Sequence, residues 1–323
     1  MANKYAMVKC YFEHGLWSPN QVLDAVSKGM ITSDEYRAIT GKDFDEETLL
    51  KKNIDAKKYR KLKQYVVHTF TDRIFSGNPA AVCVVQEELS DELMQKITIE
   101  TRLTNTCFAV KKGEHYSLRL FTPGGETDIC GHATLAAAHV VLNLYEKKRD
   151  SIDFDTLSGV INVVKNDNVY EIALPIYGFE RIPVTDLMEE AFGVRPIEAY
   201  WGKDMLCVFE NEQAIAKMKP KVKKMMQLDG TFINVTAKAD SDKYDFVSRC
   251  FAPKFKVAED PISGASYCLM APYWFEKLGK NVLAAKHVSK RGGLVYCKNV
   301  TPGYVTVCGK AVLYSDADIY IDM

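Results

Sequence analysis

Two stretches of this chain repeat one pattern. The first runs Phe121-Thr122-Pro123, then Glu126-Thr127-Asp128-Ile129-Cys130-Gly131-His132-Ala133, and passes into an apolar segment ending near Tyr145. The second runs Phe251-Ala252-Pro253, then Glu259-Asp260-Pro261-Ile262-Ser263-Gly264-Ala265-Ser266, and passes into an apolar segment ending near Leu278. Each reads as a strand, an aromatic–small–Pro turn, an acidic residue, Ile, a Cys or Ser, Gly, and a helix. Five residues lead from Phe to Glu in the first and eight in the second, so the turns differ in length. The match implies two versions of one unit, each starting a buried helix at a Gly-containing loop. Unpaired N–H groups at a helix start, with the positive end of the macrodipole, attract carboxylate or phosphate. Gly131 and Gly264 let a ligand approach the backbone closely. Two facing helix starts make a polar cleft between half-domains.

The stretches around the repeat read as α/β. Gln64 to Phe70 and Ala80 to Val85 are β-rich runs joined by the turn Ser76-Gly77-Asn78-Pro79. Ser90 caps an amphipathic helix to Ile99, Tyr116 to Phe121 alternates as a strand, and Ala133 to Tyr145 is helical. Ser151 to Leu174 reads as hairpin strands turning at Asn166-Asp167-Asn168. Phe246 to Phe251 is a strand, Ala265 to Leu278 a helix, and Val305 to Ile321 carries the final strands.

Residues 1–60 differ in character. Ser18-Pro19 with Gln21, and Thr32 with Glu35, are capping boxes that open two helices, the second closing at Gly41. Lys42 to Lys63 reads as a helical or loose connector. A DNA-binding helix-turn-helix is disfavoured, because the pair lacks a basic recognition face.

Bulk numbers narrow the function. The 323 residues are 47% hydrophobic, enough for a full core. Lys+Arg and Asp+Glu are both 42, a net charge of zero, which argues against nucleic-acid and membrane-surface partners. The run Lys217, Lys219, Lys221, Lys223, Lys224 reads as a solvated face. Nine cysteines, an odd number with no C-x-x-C pair, fit neither a disulfide framework nor a zinc site and point to reducing cytoplasm. The N-terminus has no apolar signal core, and Ala133 to Leu144 is too short for a membrane span.

Ser76-Gly77-Asn78-Pro79-Ala80-Ala81-Val82, Arg119 through Ala136, Ala258-Glu259-Asp260-Pro261-Ile262-Ser263-Gly264 and Ser289-Lys290-Arg291-Gly292-Gly293 resemble the PhzF-like phenazine-biosynthesis isomerases over residues ~63–322. The resemblance implies an α+β fold of the diaminopimelate-epimerase/PhzF type, with two pseudo-repeated half-domains, each a sheet wrapped around a central helix. It implies a homodimer or higher homo-oligomer that uses no metal or organic cofactor. The expected organisation is a helical extension and connector over 1–60, half-domains over 61–178 and 179–310, and a strand over 311–323 returning to the first half. Tyr11-Phe12, Gly15-Leu16-Trp17-Ser18, Lys28 through Thr32 and Glu35 through Gly41 resemble short XkdX-like prophage proteins, which implies a phage or prophage origin.

Family chemistry is cofactor-independent proton transfer. The position of the family's basic Glu is Asn105, in Arg102-Leu-Thr-Asn-Thr-Cys-Phe108. An amide accepts no proton at neutral pH, and a positioned base is worth ~10²–10⁴-fold in rate. The family's His and Asp fall on His132 and Asp260, and its Ser falls on Ala265, beside Ser266. The wider epimerase group uses two thiols; Cys130 matches one, whereas the other position is Ser263, a poor acid without a partner base. Cys130 is read either as structural or as a depressed-pKa thiolate. His132, Asp260 and Cys130 are the catalytic candidates. Asn78, Asn105, Thr106, Cys130, Gly131, His132, Ala133, Asp260, Ser263, Gly264, Ala265 and Ser266 are the ligand-binding candidates. Tyr267, Tyr273 and Trp274 read as core packing, with Tyr267 nearest the cleft.

Two functions follow as expectations. In the first, the protein binds and sequesters a small anionic or nucleotide-derived metabolite as phage counter-defence, with catalysis impaired at Asn105. In the second, it is an active isomerase or epimerase using His132, Asp260 or Cys130.

Overall fold

A computed structural model describes residues 4–44, 59–128, 130–255 and 257–322. It divides into two units, Met1–Leu62 with Ile319–Met323, and Lys63–Asp318. The smaller unit has three helices, α1 (Lys4–Glu13), α2 (Pro19–Ser27) and α3 (Ser33–Thr40), packed on Val8, Val22, Leu23, Ile31 and Tyr36. The expected caps are present. Ser18 N–H donates to Gln21 Oε1 at 2.8 Å and Thr32 N–H to Glu35 Oε2 at 2.7 Å. Gly41 closes α3 at φ 71°. The third helix, α1, has weak amphipathicity and was not anticipated. Of the expected connector, residues 45–58 lie outside the described residues, and Tyr59 already begins a strand.

In the larger unit, the first half is built from β1 (Tyr59–Thr69), β2 (Asn78–Val85), α4 (Asp91–Thr101), β3 (Thr106–Lys112), β4 (His115–Thr122), β5 (Gly125–Thr127), α5 (Gly131–Val140), β6 (Ser151–Thr156), β7 (Gly159–Asn166) and β8 (Val169–Pro175). The second half has β9 (Glu180–Ile182), α6 (Asp186–Phe192), β10 (Glu198–Trp201), β11 (Met205–Val208), α7 (Glu212–Ala216), α8 (Val222–Met225), β12 (Ile233–Lys238), β13 (Phe246–Ala252), β14 (Val257–Asp260), α9 (Tyr267–Leu278), β15 (Val282–His287) and β16 (Gly293–Thr301). The long β17 (Tyr304–Asp322) follows.

Pairings run β1–β2–β3–β4–β6–β7–β8–β17 and back to β1, so the first sheet closes around α5. The second runs β9–β10–β11–β12–β13–β15–β16–β17 beside α9. The repeat is visible in the connections. β4–β5–α5–β6 and β13–β14–α9–β15 are each a strand, a short hairpin strand, a buried helix and a return strand parallel to the first. β17 returns to the first half from Tyr304, which pairs with Pro175, so the crossover begins earlier than residue 311.

Both central helices are apolar on nearly every side because both are enclosed. Val141–Tyr145 continues α5 as a π-turn. Pro272 sits inside α9 and supplies no N–H to Cys268 O; the Tyr177 N–H occupies that carbonyl instead, at 3.0 Å. The lysine run 217–224 lies on an exposed stretch around α7 and α8, as expected. Among the described residues no helix is long and apolar enough to cross a membrane.

Candidate active site

The repeated words are assembled locally by matching ion pairs. Arg119 Nε holds Glu126 Oε1 at 2.7 Å, and Arg249 Nε holds Glu259 Oε1 at 2.6 Å. Each arginine also lies over the Phe two residues later, Phe121 at 5.3 Å and Phe251 at 5.0 Å. The repeat therefore extends to Arg-x-Phe…Glu, and its acidic residue is a bridge partner. Neither arginine could be assigned to a glutamate from sequence alone, because the turn lengths differ.

Each motif delivers its glycine to the same point. A Cβ placed on Gly264 would stand 3.3 Å from Gly131 Cα and 3.4 Å from His132 N. The two loops thus touch backbone to backbone, and the approach is tightest at Gly264, where a Cβ would crowd the facing backbone. The first helix begins at Gly131 with Cys130 as N-cap. The second begins later than expected. Tyr267 N–H bonds to Gly264 O at 3.2 Å and Cys268 N–H to Ala265 O at 3.1 Å, a tighter turn that precedes α9 proper at Tyr267. Behind Gly264 lies Phe70, fully buried at φ 59°. No sequence signal marked it.

Asp260 is the carboxylate at this junction. Asn78, on β2 of the first half, donates Nδ2–H to Asp260 Oδ1 at 2.7 Å and to Ile262 O at 2.8 Å, which ties the halves together. Ile262 N–H also reaches Asp260 Oδ1, at 3.2 Å. Burial raises the Asp260 pKa to about 6, against the two hydrogen bonds, which lower it. Asn78 Oδ1 is buried and unpaired among the described residues.

Cys130 Sγ lies 3.3 Å from His132 Nδ1. Burial pushes the Cys130 thiol up to about 12 and the His132 imidazolium down to about 3. Of the two readings of Cys130, burial favours the structural one over a depressed-pKa thiolate. Its helix-start N–H groups favour charge, but loss of water around the sulfur outweighs them. Thiol and imidazole face each other as neutral groups.

The remaining candidates fall into two sets. Ser263, Ala265 and Ser266 lie in the turn before α9; Ser266 donates to Cys250 Sγ at 3.2 Å. Asn105 and Thr106 lie at the start of β3, whose next residue, Cys107, donates Sγ–H to Ala133 O at 3.2 Å in the first turn of α5. The Asn105 carboxamide makes no hydrogen bond among the described residues, and Thr106 Oγ1 is buried without one. Tyr267 is fully buried against Ser248, with oxygens 3.2 Å apart, so it belongs to the core. No cluster among the described residues is arranged to hold a metal ion.

Comparison with known proteins accords with this geometry. Residues 67–317 match the family described as phenazine biosynthesis-like protein, and residues 5–44 match a phage uncharacterised protein family, XkdX. An uncharacterized isomerase of Pseudomonas aeruginosa is 37% identical over 80% of this chain and 98% of its own length. One from Halalkalibacterium halodurans is 40% identical over 72% and 89%. The crystal structure of a PhzF-family phenazine biosynthesis protein from Enterococcus faecalis superposes with a TM-score of 0.78 at 40% identity, over 81% of this chain and 100% of that one.

Proposed function

The chain belongs to the phenazine biosynthesis-like protein family, and we propose that its cleft binds a small organic anion and moves a proton at an acidic C–H, with Asp260 as the acid–base group. The observation that carries this reading is the Asp260 site: a carboxyl held by Asn78 and Ile262 where the glycine loops meet, with its pKa raised to about 6. An acid–base catalyst works best when its pKa lies near the working pH. At about 12 and about 3, Cys130 and His132 are poorly matched to that task, and they serve as neutral hydrogen-bonding groups toward the ligand. The helix-start N–H groups take the substrate's carboxylate, which stabilises the charge that develops when the neighbouring C–H is lost. The reaction class is isomerase or epimerase.

A second reading, retention of a small anionic or nucleotide-derived metabolite without turnover, is favoured by Asn105. With an amide where the family resemblance places the basic Glu, Asp260 has no second carboxylate to share the proton traffic. The XkdX-like segment adds the phage context in which sequestration would serve counter-defence.

The two readings separate in heavy water. The protein is incubated with a panel of small hydroxy, keto and amino acids, and deuterium entry at the acidic C–H is followed by proton NMR. Exchange on any member supports proton transfer. Binding by calorimetry with no exchange across the panel rejects it in favour of retention.

A further inference from the structure

The face of β1 opposite Tyr65 and Val67 carries a recess of about 300 Å³, lined by Gln64, Val66, His68, Pro79, Arg291 and Tyr314 together with Phe75, Thr101 and Leu103. It holds a cation with no carboxylate. Arg291 Nε donates to Gly77 O at 2.7 Å and Nη2 to Ser76 O at 3.0 Å. No ion pair to Arg291 forms among the described residues, and burial draws its pKa down with nothing opposing it.

Beside it lies His68, 4% exposed. Its Nδ1 accepts the Phe75 N–H at 3.1 Å, which fixes the tautomer: the proton of the neutral ring is on Nε2. Burial and the Arg291 charge hold the His68 pKa down to about 4, so the ring is neutral at pH 7. Neither His68 Nε2–H nor Arg291 Nη1 has an acceptor among the described residues. Tyr314 stacks on His68 with ring centroids 4.9 Å apart and an interplanar angle of 16°, and Phe75 meets Tyr314 edge-on at 5.6 Å. Both outer rings are open to solvent, Tyr314 at 49% and Phe75 at 66%. The recess thus combines two donors, a positive charge without an ion-pair partner among the described residues and an aromatic ledge, and neither donor has an acceptor there.

We propose that this recess is a second ligand site, separate from the Asp260 cleft, that takes the oxyanion group of a small organic molecule, a carboxylate or a phosphate, against Arg291 and His68. A charge-assisted hydrogen bond to a partly buried guanidinium contributes more to binding than one between neutral groups. The aromatic ledge favours a flat apolar body on the anion.

Benzoate and inorganic phosphate are the probes, each titrated into the full-length protein while the ring signals of His68 are followed by NMR. Benzoate is expected to shift them, with Arg291→Gln weakening its binding at least about tenfold. Phosphate shifts them as well if the oxyanion alone suffices; benzoate alone marks a site for aromatic carboxylates. Because Arg291→Gln also loosens the Ser76–Gly77 loop, the solvent-side variant Tyr314→Ala serves as the second test. It is expected to weaken benzoate severalfold. The proposal is overturned if neither probe moves the His68 signals, if benzoate binds equally well to both variants, or if Asp260→Asn rather than Arg291→Gln abolishes binding, which would place the anion in the inter-half cleft.

Discussion

Asp260 illustrates how one residue's chemistry is set by its surroundings. In the unfolded chain its carboxyl titrates near the ordinary 3.8; in the fold it titrates near 6. Between those values the folded protein keeps a proton that the unfolded chain has released, so stability falls as pH rises through that interval, and the loss is complete above it. The shift corresponds to roughly 3 kcal/mol. Asp260→Asn keeps an oxygen that can accept from Asn78 and Ile262 and removes the buried charge. It is therefore expected to be more stable than the parent at pH 8, by up to about 3 kcal/mol, and equal to it at pH 4; urea unfolding at the two pH values measures this. A less stable variant at pH 8 would mean that the charge is well solvated. Asn78→Ala acts in the opposite sense. It removes a hydrogen bond that favours the carboxylate, so the Asp260 pKa should rise further, as read from its carboxyl carbon by NMR. The sequence named Asp260 and Asn78 as site residues, but which of three candidates titrates near neutrality depends on burial, which no local pattern encodes.

At the scale of elements, the repeated strand–loop–helix unit was legible because it is written twice. What it could not show is that Gly131 and Gly264 serve each other before they serve a ligand. The two positions are unequal. A Cβ on Gly264 meets two backbone atoms at 3.3 and 3.4 Å, whereas one on Gly131 has 3.4 Å as its closest approach. Gly264→Ala is expected to cost about 1–3 kcal/mol, as overpacking does, while Gly131→Ala, inside a helix where Ala is preferred, should cost less than about 1 kcal/mol. Thermal or urea unfolding checks this order, and equal losses would contradict it. Strands β9 to β11 were missed because they are only three or four residues long, and β15 and β16 because their sequences do not alternate; β12, Ile233–Lys238, does alternate apolar and polar residues and was readable from the pattern. They are held by neighbours distant in sequence, as when Met205 in β11 pairs with Ile233 in β12.

The whole molecule carries a set of histidines whose charge the fold suppresses. Burial holds His132 and His287 to about 3, and His68 and His139 to about 4. Below the ordinary value of 6.5 the unfolded chain protonates these rings and the folded chain does not, so stability is lost as pH falls from 6.5 toward 4. Asp260 works against this trend in the same range but is one group against four. Unfolding at pH 5 should therefore take up roughly three protons, and the urea midpoint should fall steadily from pH 7 to 5. A flat midpoint would mean that these rings keep their usual pKa values in the fold. The closed first sheet and its partner form a frame that brings Asn78, Asp260 and two glycine loops to one point. The most direct test is the pH profile of deuterium exchange into a bound organic acid, for the parent and for Asp260→Asn. The expected profile has a limb near pH 6 that vanishes in the variant, with the rate down at least about 10²-fold. Exchange that persists at the parental rate in Asp260→Asn would exclude Asp260 as the acid–base group.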